Sequence, residues 1–238
     1  MAVNDVDMKV CCGQTKALIG PNGAGKSTLL NLLTGVLSAS GGEILVDGSS
    51  IVGRSCYEVA SLGVARTFQN VQLFENMSVL ENVMVGCHSW TRQGIASAAV
   101  RWLGHWREER LIEVESMERL DECGLADSAE VPAGSLPFGK QRMLEIARAL
   151  SGRPKLLLLD EPASGLSTRE TSELSELLGR IVPEGVTVLL VDHDMHFVME
   201  ISDEVMVLDQ GTKIAEGTPD EVQNDPAVIA AYLGMEAK

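Results

Sequence analysis

The run from Gly20 to Thr28, GPNGAGKST, constrains the fold more than any other part of the sequence. It satisfies the GxxxxGK[ST] pattern, follows the apolar segment 16–19 and opens the leucine-rich segment 26–35. In this pattern glycines let backbone N–H groups surround a phosphate at a helix N-terminus, while the lysine neutralises phosphate charge. A glycine-rich turn with a solvated lysine, the simpler alternative, requires neither flanking element. The sequence therefore predicts a strand, a phosphate loop and a helix.

Each residue of this run is a candidate ligand of nucleotide phosphates. Lys26 is predicted to reach the β- and γ-phosphates, and the hydroxyl of Ser27 is predicted to bind Mg²⁺. The predicted phosphate-binding residues are Gly20, Pro21, Asn22, Gly23, Ala24, Gly25, Lys26, Ser27 and Thr28.

Short apolar segments alternate with helical patterns along much of the chain, which favours an α/β fold with a mostly parallel sheet. Buried strands are predicted at 16–19, 156–159, 186–191 and 205–208, an exposed strand at 42–48, and another strand at 63–68. From 78 to 125 the pattern is helical instead. Ser78 and Glu81 form a predicted capping box there, and apolar residues recur at helical spacing at Leu111, Val114, Met117 and Leu120.

Charge and cysteine content exclude several classes of protein. The formal net charge of −15 argues against binding a nucleic acid, whose phosphates are neutralised by Lys and Arg. Five cysteines without a CxxC pair or a histidine-spaced cluster indicate neither a zinc site nor a disulfide framework. No segment contains the ~20 apolar residues that cross a bilayer, and the N-terminus does not resemble a secretory signal. We expect a cytosolic chain that reaches a membrane only through a partner.

Asp160 and Glu161 come directly after the buried strand at 156–159. The carboxyl ends of strands in open parallel sheets are where ligands gather. Two acids after a strand often form only a solvated turn, but a phosphate loop in the same chain favours a catalytic interpretation. Asp160 is then predicted to hold magnesium through water, and Glu161 to polarise the water that attacks the γ-phosphorus.

With these motifs in place, the chain from about Ala2 to Leu233 resembles the ATP-binding-cassette (ABC) ATPases. The resemblance implies a Q-loop glutamine at Gln69, which contacts the metal and the attacking water near the permease, and a switch histidine at His193, which contacts the γ-phosphate. It also implies one domain over 1–238, with a RecA-like core at about 1–75 and 152–238, an antiparallel β edge, and a helical subdomain at about 76–151.

The segment 136–142, LPFGKQR, resembles the family signature LSGGQ, which contacts ATP held by a second protomer. The resemblance implies that Leu136, Phe138, Gly139 and Lys140 make this contact. Pro137 replaces the signature serine and so loses its hydroxyl contact, whereas Lys140 replaces the glutamine and brings a charge. Ser167 stands at the D-loop position where an acid or amide is usual.

Family members carry a further N-terminal strand and an aromatic residue that stacks on adenine. Neither has a counterpart before Gly20 in this sequence, since no Tyr, Phe or Trp precedes it. We therefore expect the first strand to be missing, no stacking residue in this part of the chain, and weaker nucleotide binding than in longer relatives.

The C-terminal segments 214–222 and 231–234 resemble the importer branch that serves branched-chain amino acids and, in cousins, urea or short amides. This resemblance implies an ATPase that uses ATP and Mg²⁺ and pairs with an identical or paralogous cassette. The pair would bind integral membrane permease subunits on the inner face of the membrane and serve an extracytoplasmic solute-binding protein. Two alternatives remain open at this point: a soluble ABC-type ATPase without a permease, and an ATP-dependent regulatory module with little turnover.

Overall fold

A six-stranded sheet forms the centre of the computed structural model, which describes residues 2–87 and 102–233, without the side chains of 102–108 and 233. The strands in sheet order are β4 (Val64–Arg66), β5 (Leu156–Asp160), β6 (Thr187–Val191), β1 (Thr15–Ile19), β7 (Glu204–Asp209) and β8 (Thr212–Gly217). All neighbours pair in parallel except β7 and β8, which pair antiparallel. A separate hairpin joins β2 (Leu45–Val46) and β3 (Ser49–Ser50). The predicted mostly parallel sheet with an antiparallel edge is confirmed.

Both faces of this sheet are buried, because successive side chains of each strand enter opposite cores. Leu158 and Leu189 belong to one core, which also holds α1 (Lys26–Leu33) and α2 (Cys56–Ser61). Leu157 and Leu190 belong to the other core, which the remaining helices cover. These helices are α3 (Val79–Gly86), α4 (Trp102–Glu122), α5 (Phe138–Ser151), α6 (Thr168–Ile181), α7 (Met195–Ile201), α8 (Pro219–Gln223) and α9 (Pro226–Leu233).

Helices α3, α4 and α5 pack on one another, in the part of the chain where a helical insertion was predicted. Ser78 caps α3 through the predicted capping box with Glu81. Helix α4 also forms, but Leu111 and Val114 are exposed, and its buried stripe runs through Ile112, Ser116 and Leu120 and continues to Cys123 just beyond its end. The segment 88–101 within the predicted insertion lies outside the described residues.

The carboxyl ends of the parallel strands bring together the segments that carry the predicted site. Strand β1 leads into the phosphate loop, β5 ends at Asp160, and β6 leads into Asp192 and His193. Strand β4 ends at Arg66, shortly before Gln69. Because parallel strands end at the same edge of a sheet, segments far apart in sequence converge there.

Candidate functional site

The phosphate loop folds between β1 and α1 as the motif predicts. Gly25 caps α1 in a left-handed conformation, and among the described residues no side chain caps this helix. The first N–H groups of α1 are therefore left for an anion, in line with the helix dipole. The ammonium of Lys26 donates to the carbonyls of Gly20 (2.6 Å) and Pro21 (3.0 Å), which folds it over the loop.

Gly20 is required by close packing. Its φ is +146°, and a Cβ at this position would overlap the carbonyl oxygen of Leu208 in β7. A side chain would push the loop away from the sheet, so the glycine fixes where the phosphate loop begins.

The predicted catalytic residues Gln69, Glu161 and His193 gather beside this loop. The amide of Gln69 donates to Oε2 of Glu161 at 2.8 Å, and Nδ1 of His193 lies 3.9 Å from the same oxygen. Gln69 and His193 are exposed, whereas Asp160 is buried. The arrangement leaves an open face over Glu161 where a water could be polarised.

Lys26 lies close enough to both acids to interact with them. Burial lowers the pKa of its ammonium, and the carboxylates of Glu161 and Asp160 oppose that shift. The cation therefore sits between the helix N-terminus and two anions, as expected of a group that neutralises phosphate charge.

The side chains at this site could bind magnesium only if nucleotide phosphates supplied the remaining ligands. Among the described residues no group of three or more His, Cys, Asp or Glu side chains could hold a metal ion. Mg²⁺ commonly uses one or two carboxylates, with substrate phosphates and water supplying the other ligands. Ser27, Gln69 and Asp160 offer the hard oxygen donors that such a site needs.

Asp192 is a buried positioning residue that the sequence interpretation did not single out. Its carboxylate accepts hydrogen bonds from the backbone N–H groups of Ala163 (3.0 Å), His193 (2.7 Å) and Asp194 (3.0 Å). These contacts tie the loop that carries His193 to the loop that follows Glu161. An acid directly before the histidine, after a buried strand, was the available signal.

Arg142 and Glu145 of α5 hold the segment that contains Gln69, and the sequence interpretation missed both. The guanidinium of Arg142 donates to the carbonyls of Phe68 and Gln69, each at 2.7 Å. Glu145 accepts from the N–H groups of Phe68 (3.4 Å) and Gln72 (3.3 Å), and pairs with Arg142 at 3.1 Å. The segment that contains Gln69 is therefore tied to α5 as well as to β4.

The signature-like segment forms the N-terminus of α5. Pro137 is the N-cap, and no hydrogen bond from a side chain caps the helix in the described part of the chain. Phe138 and Lys140 are exposed, whereas Leu136 and Gly139 are buried. A Cβ on Gly139 would meet the carboxylate of Glu170, which forms the capping box with Ser167 and would have to move.

Ser167, at the D-loop position, has a structural role of its own. Its hydroxyl accepts from the backbone N–H of Glu170 and caps α6 in a reciprocal capping box. Serine is among the preferred N-cap residues, which explains its place in local terms.

A cleft of about 680 Å³ opens beside the segment that contains Gln69. Its wall is largely apolar and combines residues of β4, α2, α3 and α5. Exposed apolar side chains at the cleft include Val36, Phe68 and Phe74.

Fold and site together define a P-loop ATP-binding cassette. The family model for ABC transporters matches residues 3–164, and that for branched-chain amino acid ATP-binding cassette transporters matches residues 212–237. The chain belongs to the ABC transporter family, whose cassettes hydrolyse ATP to power transport.

Two curated relatives match almost the whole chain. The high-affinity branched-chain amino acid transport ATP-binding protein BraF of Pseudomonas aeruginosa is 44% identical over 98% of this chain and 92% of its own length. The corresponding protein LivG of Escherichia coli K12 is 42% identical over the same shares. The resemblance to the branched-chain importer branch is thereby confirmed.

Solved structures support the fold. An ATP-binding cassette of an ABC transporter in its ADP conformation superposes with a TM-score of 0.84 at 31% identity, covering 98% of this chain and 92% of that one. A nucleotide-free cassette gives a TM-score of 0.83 at 30% identity, covering 97% and 92%. Among the described residues, no helix is both long and apolar enough to cross a membrane.

Proposed function

We propose that this chain powers an importer of branched-chain amino acids by hydrolysing ATP at the edge of its parallel sheet. The observation that carries the proposal is the convergence of Lys26, Gln69, Glu161 and His193 beside the uncapped N-terminus of α1. A protein that only bound nucleotide would not need a carboxylate hydrogen-bonded to a glutamine over the phosphate site.

Glu161 acts as the general base that takes a proton from the attacking water. Gln69, already hydrogen-bonded to Glu161, orients that water, and His193 contacts the γ-phosphate. Lys26 leaves its contacts with the loop carbonyls and binds the β- and γ-phosphates. Magnesium, held through Ser27, Gln69 and Asp160, would supply charge compensation for the phosphates.

The second half of each site comes from a partner cassette, identical or paralogous. The N-terminus of α5 supports this assignment, because its free N–H groups can bind the γ-phosphate of the partner's ATP without the missing serine hydroxyl. Lys140, exposed beside them, adds a positive charge. Phe138 and the backbone of Gly139 contribute further contacts, while Leu136 packs in the core and fixes the start of the segment.

Permease subunits bind at the cleft next to Gln69, on the inner face of the membrane. The support is its apolar wall, with Phe68 and Phe74 exposed in an otherwise strongly acidic chain. A solute-binding protein delivers the amino acid to those permease subunits. The importer that results is specific for branched-chain amino acids rather than for urea or amides, since both relatives named above are branched-chain proteins.

The catalytic role is tested with the Glu161→Gln variant. We expect ATP hydrolysis to fall by at least about a hundredfold while ATP binding persists, since only the base is removed. Lys26→Ala should instead weaken ATP binding itself. Glu184→Gln, which changes an exposed glutamate between α6 and β6, is the matched control. Unchanged hydrolysis in Glu161→Gln would contradict the assigned role.

The transport role is tested by co-expressing the chain with permease subunits and a solute-binding protein of a branched-chain amino acid importer and measuring uptake into vesicles. We expect ATP-dependent uptake of labelled leucine, isoleucine or valine, and recovery of the chain with membranes only when the permease is present. Uptake of urea but not leucine would contradict the solute assignment. Failure to associate with any permease would contradict the transporter role and favour a soluble ATPase.

A further inference from the structure

Arg66 lies between Asp160, the proposed metal ligand, and the cleft. It is the last residue of β4, and its guanidinium donates to Oδ2 of Asp160 and to Oδ1 of Asn31, each at 2.7 Å. The ion pair with Asp160 is about nine-tenths buried on both sides. One side chain therefore joins β4, the end of β5 and the middle of α1.

The same guanidinium also reaches the wall of the cleft. It lies 5.3 Å from the ring centroid of Phe68, within the range of a cation–π contact. Both residues line the cleft, and Phe68 is 47% exposed there. The Nε atom of Arg66 is buried without a hydrogen-bond partner among the described residues, so the guanidinium is held by its two terminal nitrogens.

We propose that Arg66 is a positioning residue that holds Asp160 in place for the metal and transmits the state of the cleft to it. The inference rests on the proposed function, in which Asp160 binds magnesium with the phosphates. Arg66 engages one oxygen of Asp160, leaving the other for a metal-bound water. Whatever displaces Phe68 would shift Arg66, and with it the metal ligand.

The chemistry favours arginine over lysine at this position. A planar guanidinium can donate to Asn31 and Asp160 at once and stack on Phe68, whereas an ammonium lacks the fork and the flat face. Residues hydrogen-bonded to a ligating carboxylate orient it, and replacing them lowers metal affinity or activity by about 10- to 100-fold.

The experiment measures how strongly magnesium tightens nucleotide binding. The affinity for ADP is measured with excess EDTA and again with Mg²⁺, and the ratio of the two affinities reports metal binding without requiring turnover. The variants are Arg66→Met and Arg66→Lys. The control is Arg119→Met, which removes a partly exposed ion pair with Glu122 on α4.

In Arg66→Met we expect the ratio to fall about tenfold, with metal-free ADP affinity unchanged. Arg66→Lys should give an intermediate ratio, and Arg119→Met the wild-type ratio. A wild-type or higher ratio in Arg66→Met would overturn the proposal, the higher value indicating that Arg66 competes with the metal. If Arg66→Met does not fold, Arg66→Lys decides, because a wild-type ratio there would overturn the proposal.

The transmission to the cleft has its own variant, Phe68→Leu, which keeps the apolar wall but removes the ring beneath Arg66. We expect Phe68→Leu to lower the ratio, as Arg66→Lys does. An unchanged ratio would refute the link between the cleft and the metal site. Failure of wild-type protein to bind ADP at all would instead refute the proposed function. The two failures are therefore distinguishable.

Discussion

Replacing Arg142 by methionine should destabilise the protein strongly and free the segment that contains Gln69. Arg142 is 1% exposed, and its guanidinium makes one ion pair and two hydrogen bonds to main-chain carbonyls. Methionine has a similar length and no charge, so the change removes the polar contacts while largely filling the space.

The expected loss of stability comes from the buried polar groups that lose their partner when Arg142 is replaced. Glu145, 2% exposed, would lose its ion-pair partner and keep only the charge of Arg148 acting on its carboxylate, and two carbonyls would lose their donor. Removing one partner of a buried ion pair costs about 3–5 kcal/mol. Replacing Glu145 by glutamine in the same chain removes the stranded charge but keeps an acceptor for the N–H groups of Phe68 and Gln72.

Urea unfolding at equilibrium measures these costs. We expect Arg142→Met to lower the free energy of unfolding by about 3–5 kcal/mol, and the added Glu145→Gln change to recover about 1–2 kcal/mol. A cost below about 1 kcal/mol, or no recovery in the double variant, would refute the reasoning that a stranded charge dominates.

The pH dependence gives an independent check. Burial already raises the pKa of Glu145 in spite of Arg142, and losing the cation raises it further. A carboxyl with a raised pKa in the folded state contributes stability below its ordinary pKa, and loses it as pH rises through the folded value. Arg142→Met should therefore cost more at about pH 8 than at about pH 5, and an opposite trend would contradict the assignment.

Two further results are expected of the folded protein. With a thiol reagent, the three exposed cysteines should react at once, while Cys87 and Cys123 react only on unfolding, because burial raises the pKa of both thiols, that of Cys123 to about 12. Gly20→Ala should lower the free energy of unfolding by about 3 kcal/mol or more, since its Cβ would overlap the main chain of Leu208. Gly23→Ala, with positive φ but open space around the Cβ, should cost only about 1 kcal/mol. Equal losses for the two glycines, measured by urea unfolding, would contradict the packing argument.

The sequence was sufficient for those elements whose pattern is local. The phosphate loop, the buried strands and the capping box at Ser78 depend on neighbouring residues, and all three form. The end of β5 at Asp160 was predictable because an apolar run stops there. Strand β8 was not predicted as such, because its residues, TKIAEG, mix polar and apolar side chains and are half-exposed on a sheet edge.

What the sequence did not reveal are contacts made across the fold. Arg66 meets Asp160 and Arg142 meets the segment that contains Gln69 only after distant strands and helices come together. The spacing of apolar residues also did not predict which side of α4 faces the core. Leu111 and Val114 share the helical spacing of the buried residues, and only the packing of α3 and α5 decides that the stripe through Ile112 is covered.

These long-range contacts hold the segment 66–72 to both the sheet and α5. Arg66 fixes its beginning to the sheet and to α1, while Arg142 and Glu145 fix its middle, at Phe68 and Gln69, and its end, at Gln72, to α5. A short segment held at both ends by charged hydrogen bonds transmits displacement, because stretching it would break buried polar contacts. We therefore expect a rotation of α5 against the sheet to move Gln69 relative to Glu161. Permease subunits bound at the adjacent cleft, as proposed, would then change the proposed catalytic geometry without touching the nucleotide.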